Sequence, residues 1–188
     1  MTIVVNFFGG PGSGKSTMAG QLFGVMKEQR INVEYVPEFA KELVWEESQA
    51  IDDQLYLLGV QHFRLYRLLG KVDYIISDSP LLLGNHYVEF SNHKFPTNRV
   101  LESWRNSYKE LAMNTFDMYD NMNFFVNRGE RKFVQAGRLQ NEDQAKEIDV
   151  ELRFMLKQWG YPFTTVSNVN DVINMLNSRS ENGRIDFI

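Results

Sequence analysis

A doubly wound α/β domain with a five-stranded parallel sheet flanked by helices is the fold the sequence predicts. Two observations carry this expectation. Short, nearly continuous apolar runs alternate with longer segments of helical spacing, and the first run ends directly in a glycine-rich turn. Strands buried on both faces and joined by helices pair in parallel, through right-handed crossovers.

Ile3 to Phe8 reads as the first buried strand. Residues 15 to 30 follow as a helix with Met18, Leu22, Val25 and Met26 on one face, and Val33 to Val36 is a second strand cut off by Pro37. Two helical segments come after Glu38. The second runs from Asp52 to Lys71, with Leu55, Leu58, His62, Leu65 and Leu69 three and four apart. Val72 to Ser77 is a third strand, ending at Asp78-Ser79-Pro80. Residues 84 to 96 (Gly84, Asn85, Asn92, Pro96) read as irregular, residues 97 to 120 as a largely polar helix, and Phe124 to Asn127 as a fourth strand. Arg128 to Gln140 is loop-like and basic. Asn141 opens a helix, with Gln144 three residues on and Glu142 and Asp143 in its first turn, and Ala145, Ile148, Leu152, Met155 and Trp159 as its buried stripe. Phe163 to Ser167 supplies the fifth strand and Val169 to Leu176 the last helix. Residues 178 to 188 read as a polar, loosely held tail.

The 188 residues, 43% hydrophobic and 23% charged, fit one domain spanning residues 1–188. With no cysteine, thiolate catalysis, Cys-ligated zinc and iron–sulfur clusters drop out, and a reducing compartment is the natural setting. Twenty basic residues against twenty-four acidic ones leave a net charge of −4, which opposes a general electrostatic footprint for nucleic acid. A local basic site is compatible with that balance. No apolar stretch reaches the ~20 residues needed to span a bilayer, and Met1 to Asn6 lacks a basic, signal-like start, so a cytoplasmic protein with no membrane partner is expected. His62, His86 and His93 have no ligand cluster around them in the sequence.

Gly9-Gly10-Pro11-Gly12-Ser13-Gly14-Lys15-Ser16-Thr17 matches G-x-x-x-x-G-K-[ST] and sits between a predicted strand and a predicted helix, where a phosphate loop belongs. The domain therefore reads as a P-loop NTPase fold. Gly10, Gly12, Ser13 and Gly14 let the backbone curl so that N–H groups face phosphate oxygens, with the helix start at Ser16 and Thr17 behind them. Lys15 is placed to neutralise β/γ-phosphate charge and the Ser16 hydroxyl to ligate magnesium. A dinucleotide-type G-x-G-x-x-G does not fit, because starting at Gly10 its third glycine would fall on Lys15.

Asp78, after Tyr74-Ile75-Ile76-Ser77, stands at the carboxyl end of a buried strand, the Walker B position, where it would hold magnesium directly or through water. The alternative is a strand-end turn residue before Ser-Pro. Glu38 ends the second strand at the same edge and is either a proton acceptor for an acceptor hydroxyl or a favourable charge in the first turn of the next helix. Arg128, Arg131, Lys132 and Arg138 crowd positive charge between the fourth strand and a capped helix. They form either a lid that covers the transferring phosphate, at about residues 128–141, or a solvated basic loop. Gln54 and Gln61 share one helix face, as do Gln61 and Arg64; amides there either read a nucleobase edge or lie on the surface.

On these residues the chain resembles the small P-loop kinases of the nicotinamide-riboside-kinase-like AAA type, which include many phage-encoded members. The resemblance covers nearly the whole chain. It rests on Phe7 to Thr17, Glu38-Phe39-Ala40-Lys41-Glu42, Asp53-Gln54, Ser77-Asp78-Ser79-Pro80 and Gly137-Arg138-Leu139-Gln140-Asn141-Glu142. Some phage members phosphorylate the hydroxymethyl group of 5-hydroxymethyluracil in DNA. The stretch from Glu38 to Trp45 also resembles deoxynucleoside kinases, which implies a general base at Glu38 and a base-reading glutamine on the next long helix. Those enzymes carry Glu-Arg-Ser where this chain has Asp78-Ser79-Pro80, so the arginine of that motif must come from elsewhere, with the lid as the source.

The expected function is an ATP- and Mg2+-dependent kinase acting on a hydroxyl of a nucleoside-like acceptor, with 5-hydroxymethyluracil in phage DNA favoured and a free nucleoside, nucleotide or nicotinamide riboside as the alternative. Lys15, Glu38, Asp78, Arg128, Arg131 and Arg138 are the expected catalytic set, and Glu38, Gln54, Gln61 and Arg64 the acceptor site. Lys94, Arg99 and Arg105 would supply a local track for DNA. A nucleotide-dependent switch or assembly ATPase is the reading from another class. Against a GTPase, the one Lys-x-Asp, Lys71-Val72-Asp73, is preceded by Gly70 where Asn or Thr is needed, and no second helical domain of the ring-ATPase kind is visible.

Overall fold

In the computed structural model, which describes residues 2–90 and 97–180, the chain runs β1 (Ile3–Phe8), α1 (Lys15–Glu28), β2 (Val33–Val36), α2 (Phe39–Trp45), a 3-10 turn (Gln49–Asp52), α3 (Gln54–Tyr66), β3 (Tyr74–Ser77), α4 (Leu83–Phe90), α5 (Asn98–Phe116), β4 (Asp120–Val126), α6 (Glu142–Gln158), β5 (Thr164–Val166) and α7 (Val169–Ser180). The strands form one sheet in the order β2-β3-β1-β4-β5, with every pairing parallel. This is a P-loop NTPase-like fold.

Alternation along the strands divides the core into two layers. Val5, Phe7, Ile76, Val33, Phe124 and Val126 point to the face covered by α1 and α7, where Met18, Leu22, Met26, Val172 and Leu176 fill the space. Val4, Phe8, Ile75, Val36 and Phe125 point to the opposite face, against α3 to α6. Asn6 is a polar exception on that second face, and its buried amide donates to Asn121 and Asn123 of β4 at 2.8 and 3.1 Å. Both layers close around β1, so the turn that leaves Phe8 emerges at the middle of the sheet's carboxyl edge.

Three local expectations are corrected. Residues 83–90 form α4 rather than irregular chain. Leu81, Leu82, Leu83 and Val88 are buried there, and this burial outweighs the weak helix propensity of Gly84 and Asn85. Asn92, His93, Lys94 and Pro96 lie outside the described residues, as does most of the 178–188 tail. The long helix after Glu38 is shorter than expected: it starts at Gln54, capped by Asp53 accepting from the Tyr56 N–H, and ends at Tyr66. Its buried stripe is Gln54, Leu58, Gln61 and Leu65, while Leu55 faces outward. β4 begins at Asp120, four residues before its apolar run, because the Asn network pairs its polar half to β1. At α6 the capping box forms as read, with Asn141 and Gln144 exchanging bonds of 2.9 Å. Among the described residues no helix is long and apolar enough to cross a membrane.

Candidate active site

The glycine-rich turn curls between β1 and α1 with positive φ at Gly9, Gly12 and Gly14. Gly14, at φ 101°, is the N-cap of α1 and makes no side-chain cap, so the helix start is left to the loop. At Gly10 space is the constraint: a Cβ there would lie 2.5 Å from the Ala145 carbonyl oxygen of α6. Lys15 is buried, and its Nζ donates to the Gly9 and Gly10 carbonyl oxygens at 2.7 and 3.1 Å. Burial lowers its pKa, opposed by the carboxylates of Glu38, Asp78 and Asp149. Ser13 Oγ is buried with no hydrogen-bond partner, and Ser16 and Thr17 are exposed on the first turn of α1.

Asp78 follows β3 and is buried. One carboxylate oxygen, Oδ2, accepts from the Tyr35 hydroxyl at 2.7 Å; the other, Oδ1, is buried with no partner. A buried carboxylate oxygen without a donor needs an explanation. A hard divalent cation shared with the exposed Ser16 hydroxyl fits that donor set.

Glu38 stands two residues beyond the end of β2 and is the N-cap of α2, yet its side chain makes no cap hydrogen bond to the helix. Burial raises its pKa most; Lys15, Lys41 and Arg138 oppose the rise and Asp78 adds to it. Lys15, Asp78 and Glu38 thus feel one another's charge at the sheet edge. Glu38 also lines a cleft walled by α2 to α5, with Gln54, Leu58, Gln61, Tyr87 and Tyr108 among its lining. Burial, with a contribution from Glu38, pushes the Tyr87 phenol upward. Tyr108 reaches the cleft floor so closely that a Cβ on Gly84 would lie 2.1 Å from its hydroxyl oxygen.

The predicted acceptor residues separate. Gln54 is buried on the cleft wall and donates to Ile51 O at 3.3 Å. Gln61 is buried too, but its amide is engaged by backbone. Its Oε1 accepts the Phe39 N–H at 3.2 Å and its Nε2 donates to the Pro37 carbonyl at 3.4 Å, one bond on each side of Glu38. Arg64 turns away from the cleft, forms a two-pronged pair with Glu42 at 2.7 and 2.8 Å, and stacks on the Phe39 ring.

Basic residues form a lid over the phosphate loop. Arg128 donates to Asp149 at 2.8 Å, to the Pro11 carbonyl at 2.8 Å and to the Ala145 carbonyl at 3.0 Å. Arg131 donates to the Ser13 and Asn127 carbonyls, both at 3.0 Å, and its guanidinium lies over Gly14. Arg138 donates to the Val134 carbonyl and faces the Phe133 ring, while Lys132 is exposed. Phe133 covers Gly12, and Gly137 sits on the Trp45 indole at the end of α2.

Two site residues escaped the sequence reading. Tyr35 looked like an ordinary strand tyrosine; its signal is the alternation that puts it on the same sheet face as Asp78. Asp149 lies beside the apolar stripe of α6, next to Ile148, and its partners Gly10 and Arg128 sit in distant segments that no spacing within the helix announces.

Solved structures of similar fold include two of deoxyadenosine kinase from M. mycoides. The one with bound dCTP has a TM-score of 0.60 at 16% identity, covering 93% of this chain and 99% of that one. The other, with products dCMP and a flexible dCDP bound, has a TM-score of 0.56 at 17% identity and the same coverage. At such identities the likeness is one of fold. No curated protein sequence matches the chain. A family profile described as an AAA domain, AAA_28, matches residues 4–171, from within β1 to the first turn of α7. The chain belongs to the AAA_28 family of AAA domains.

Proposed function

We propose that the protein is an ATP- and Mg2+-dependent kinase that transfers the γ-phosphoryl group to a hydroxyl of a free nucleoside- or nucleotide-like acceptor. A phosphotransferase is consistent with its family and its kinase-like fold. One observation carries the reading: Glu38 lies at once in the field of Lys15 and Asp78 and in the lining of the α2–α5 cleft. Phosphate-binding and acceptor-binding surfaces therefore meet at a carboxylate.

Phosphoryl transfer needs positioning and charge stabilisation more than covalent help. Gly12, Ser13 and Gly14 form the cradle, with Gly10 held beside it by Asp149, and Lys15 would exchange its carbonyl partners for phosphate oxygens. Ser16 and Asp78 would hold magnesium, which would supply positive charge against the phosphates. Arg131 and Arg138, bonded only to carbonyl oxygens among the described residues, are the lid groups able to turn to the transferring phosphate, whereas Arg128 is held by Asp149. Glu38, its pKa raised by burial, orients the acceptor hydroxyl and takes its proton. Gln54 is the cleft amide suited to an acceptor edge.

A free acceptor suits a cleft floored by Tyr108 and Gly84, and the net charge of −4 suits it as well. Nicotinamide riboside belongs to the same class. The finer reading drawn from the phage resemblance, 5-hydroxymethyluracil in DNA, needs a polymer track. Of that track, Arg99 and Arg105 lie on α5 and Lys94 is outside the described residues. Transfer of labelled γ-phosphate to nucleosides, mononucleotides, nicotinamide riboside and hydroxymethyluracil-containing DNA tests all of these together. Label on a free acceptor supports the proposal, label on DNA alone replaces its acceptor, and ATP turnover that no acceptor stimulates overturns it in favour of a switch ATPase.

A further inference from the structure

We infer that Tyr35 is a positioning residue for the divalent-cation site, holding the Asp78 carboxylate so that Oδ1 is the oxygen left to ligate. The inference builds on the nucleotide-binding reading of this site and extends it to a residue outside both nucleotide motifs.

Strand geometry brings Tyr35 there. Tyr35 pairs with Ile76 across β2 and β3, and Asp78, two residues beyond Ile76, points to the same sheet face. That face carries α1, whose first turn holds Ser16. The Tyr35 ring is anchored against Phe23 of α1, with centroids 6.2 Å apart. Its hydroxyl donates to Asp78 Oδ2 at 2.7 Å. One phenol thus ties β3 to the helix that begins at the phosphate loop.

Chemistry explains why a single donor matters. The two oxygens of an aspartate are equivalent, and its terminal torsion is broad and two-fold, so a carboxylate alone does not choose which oxygen to present. A donor on Oδ2 removes that freedom. The buried Oδ1 then stands fixed and without a donor, the arrangement a hard cation satisfies. Hydrogen bonds to a ligating carboxylate commonly set metal affinity by 10- to 100-fold.

The test is Tyr35→Phe, which keeps the ring on Phe23 and deletes only the donor. Mn2+ binding in the presence of a non-hydrolysable ATP analogue, followed by electron paramagnetic resonance without any acceptor, should weaken by about 10-fold. Metal-free nucleotide binding should not move. In an Asp78→Asn background the same change should add nothing, because Tyr35 acts through the carboxylate. Unchanged Mn2+ affinity in folded Tyr35→Phe overturns the inference. Tyr35→Met is the second donorless variant, and failure of both to fold would make Tyr35 structural and also overturn it. Absence of Mn2+ binding by the wild type would instead overturn the nucleotide-site reading itself.

Discussion

Gly10 donates its backbone N–H to the Asp149 carboxylate at 2.5 Å, so the phosphate loop is tied to a helix that the chain reaches only after the lid. The second oxygen of Asp149 accepts from Arg128 at 2.8 Å, with both side chains mostly buried. Asp149→Ala should leave the guanidinium and the Gly10 N–H short of a partner and cost about 2–4 kcal/mol. Asp149→Asn, which keeps an acceptor for Gly10, should fall between the two. Denaturant unfolding gives the order, and calorimetric ATP titration should show affinity declining in the same order. Equal stability of Asp149→Ala and the wild type would remove the brace.

Glu38→Gln keeps the shape of the side chain and removes its charge. Transfer to the acceptor should fall by ~10²-fold or more while ATP binding holds. Burial raises the Glu38 pKa, so the folded protein holds this proton more tightly than the unfolded chain. Wild-type stability then declines as pH rises from the ordinary carboxylate value through the raised one. Glu38→Gln has no charge to bury, so its stability relative to the wild type should grow across that window. A pH series of unfolding curves checks this, and a gap independent of pH would contradict it.

Gln61 should act on turnover through the backbone it holds. Gln61→Leu strips the partners from the Phe39 N–H and the Pro37 carbonyl, loosening the turn that carries Glu38. A stability loss of roughly 1–3 kcal/mol is expected. Acceptor kcat should drop while the KM for ATP stays put. A change confined to the acceptor KM or to base preference would mean that the amide reads the acceptor after all.

Gly84→Ala forces a Cβ into the Tyr108 hydroxyl, and Tyr108 is buried and cannot swing clear. The acceptor KM should rise and stability fall by about 1–3 kcal/mol, as overpacking does, with ATP affinity unaffected. Gly84→Ala combined with Tyr108→Phe should recover much of both losses by vacating the space. A thermal melt and an acceptor titration of the single and double variants decide the matter; no recovery would place the clash elsewhere.

How far the sequence speaks depends on the range of the interaction. The strand runs, the phosphate loop at Gly9 to Thr17 and the capping box at Asn141 and Gln144 depend on neighbours in the chain, and the fold class follows from them. Placement of Asp78 and Glu38 at one sheet edge follows from the parallel arrangement. What the sequence hid was pairing between distant elements. α4 looked irregular because Gly84 and Asn85 are poor helix formers, and only burial of Leu82 and Val88 reveals why they are tolerated. Helix periodicity put Arg64 beside Gln61, yet Glu42, on a different helix, draws it away. Gln61 itself is committed to backbone of another segment, which no spacing within α3 announces.

The central place of β1 also governs the order in which the protein can be made. Its Ile3 pairs with Tyr74 on one side and with Asp120 on the other, and the loop that follows is tied to Asp149. Contacts so distant along the chain close late, since loop entropy must be overcome before they give anything back. Residues 9–17 leave the ribosome well before β4 and α6, so the shape that receives phosphate waits for β4 and the middle of α6. A nascent chain arrested before Asp149 should therefore carry the whole phosphate-loop motif and still fail to retain ATP.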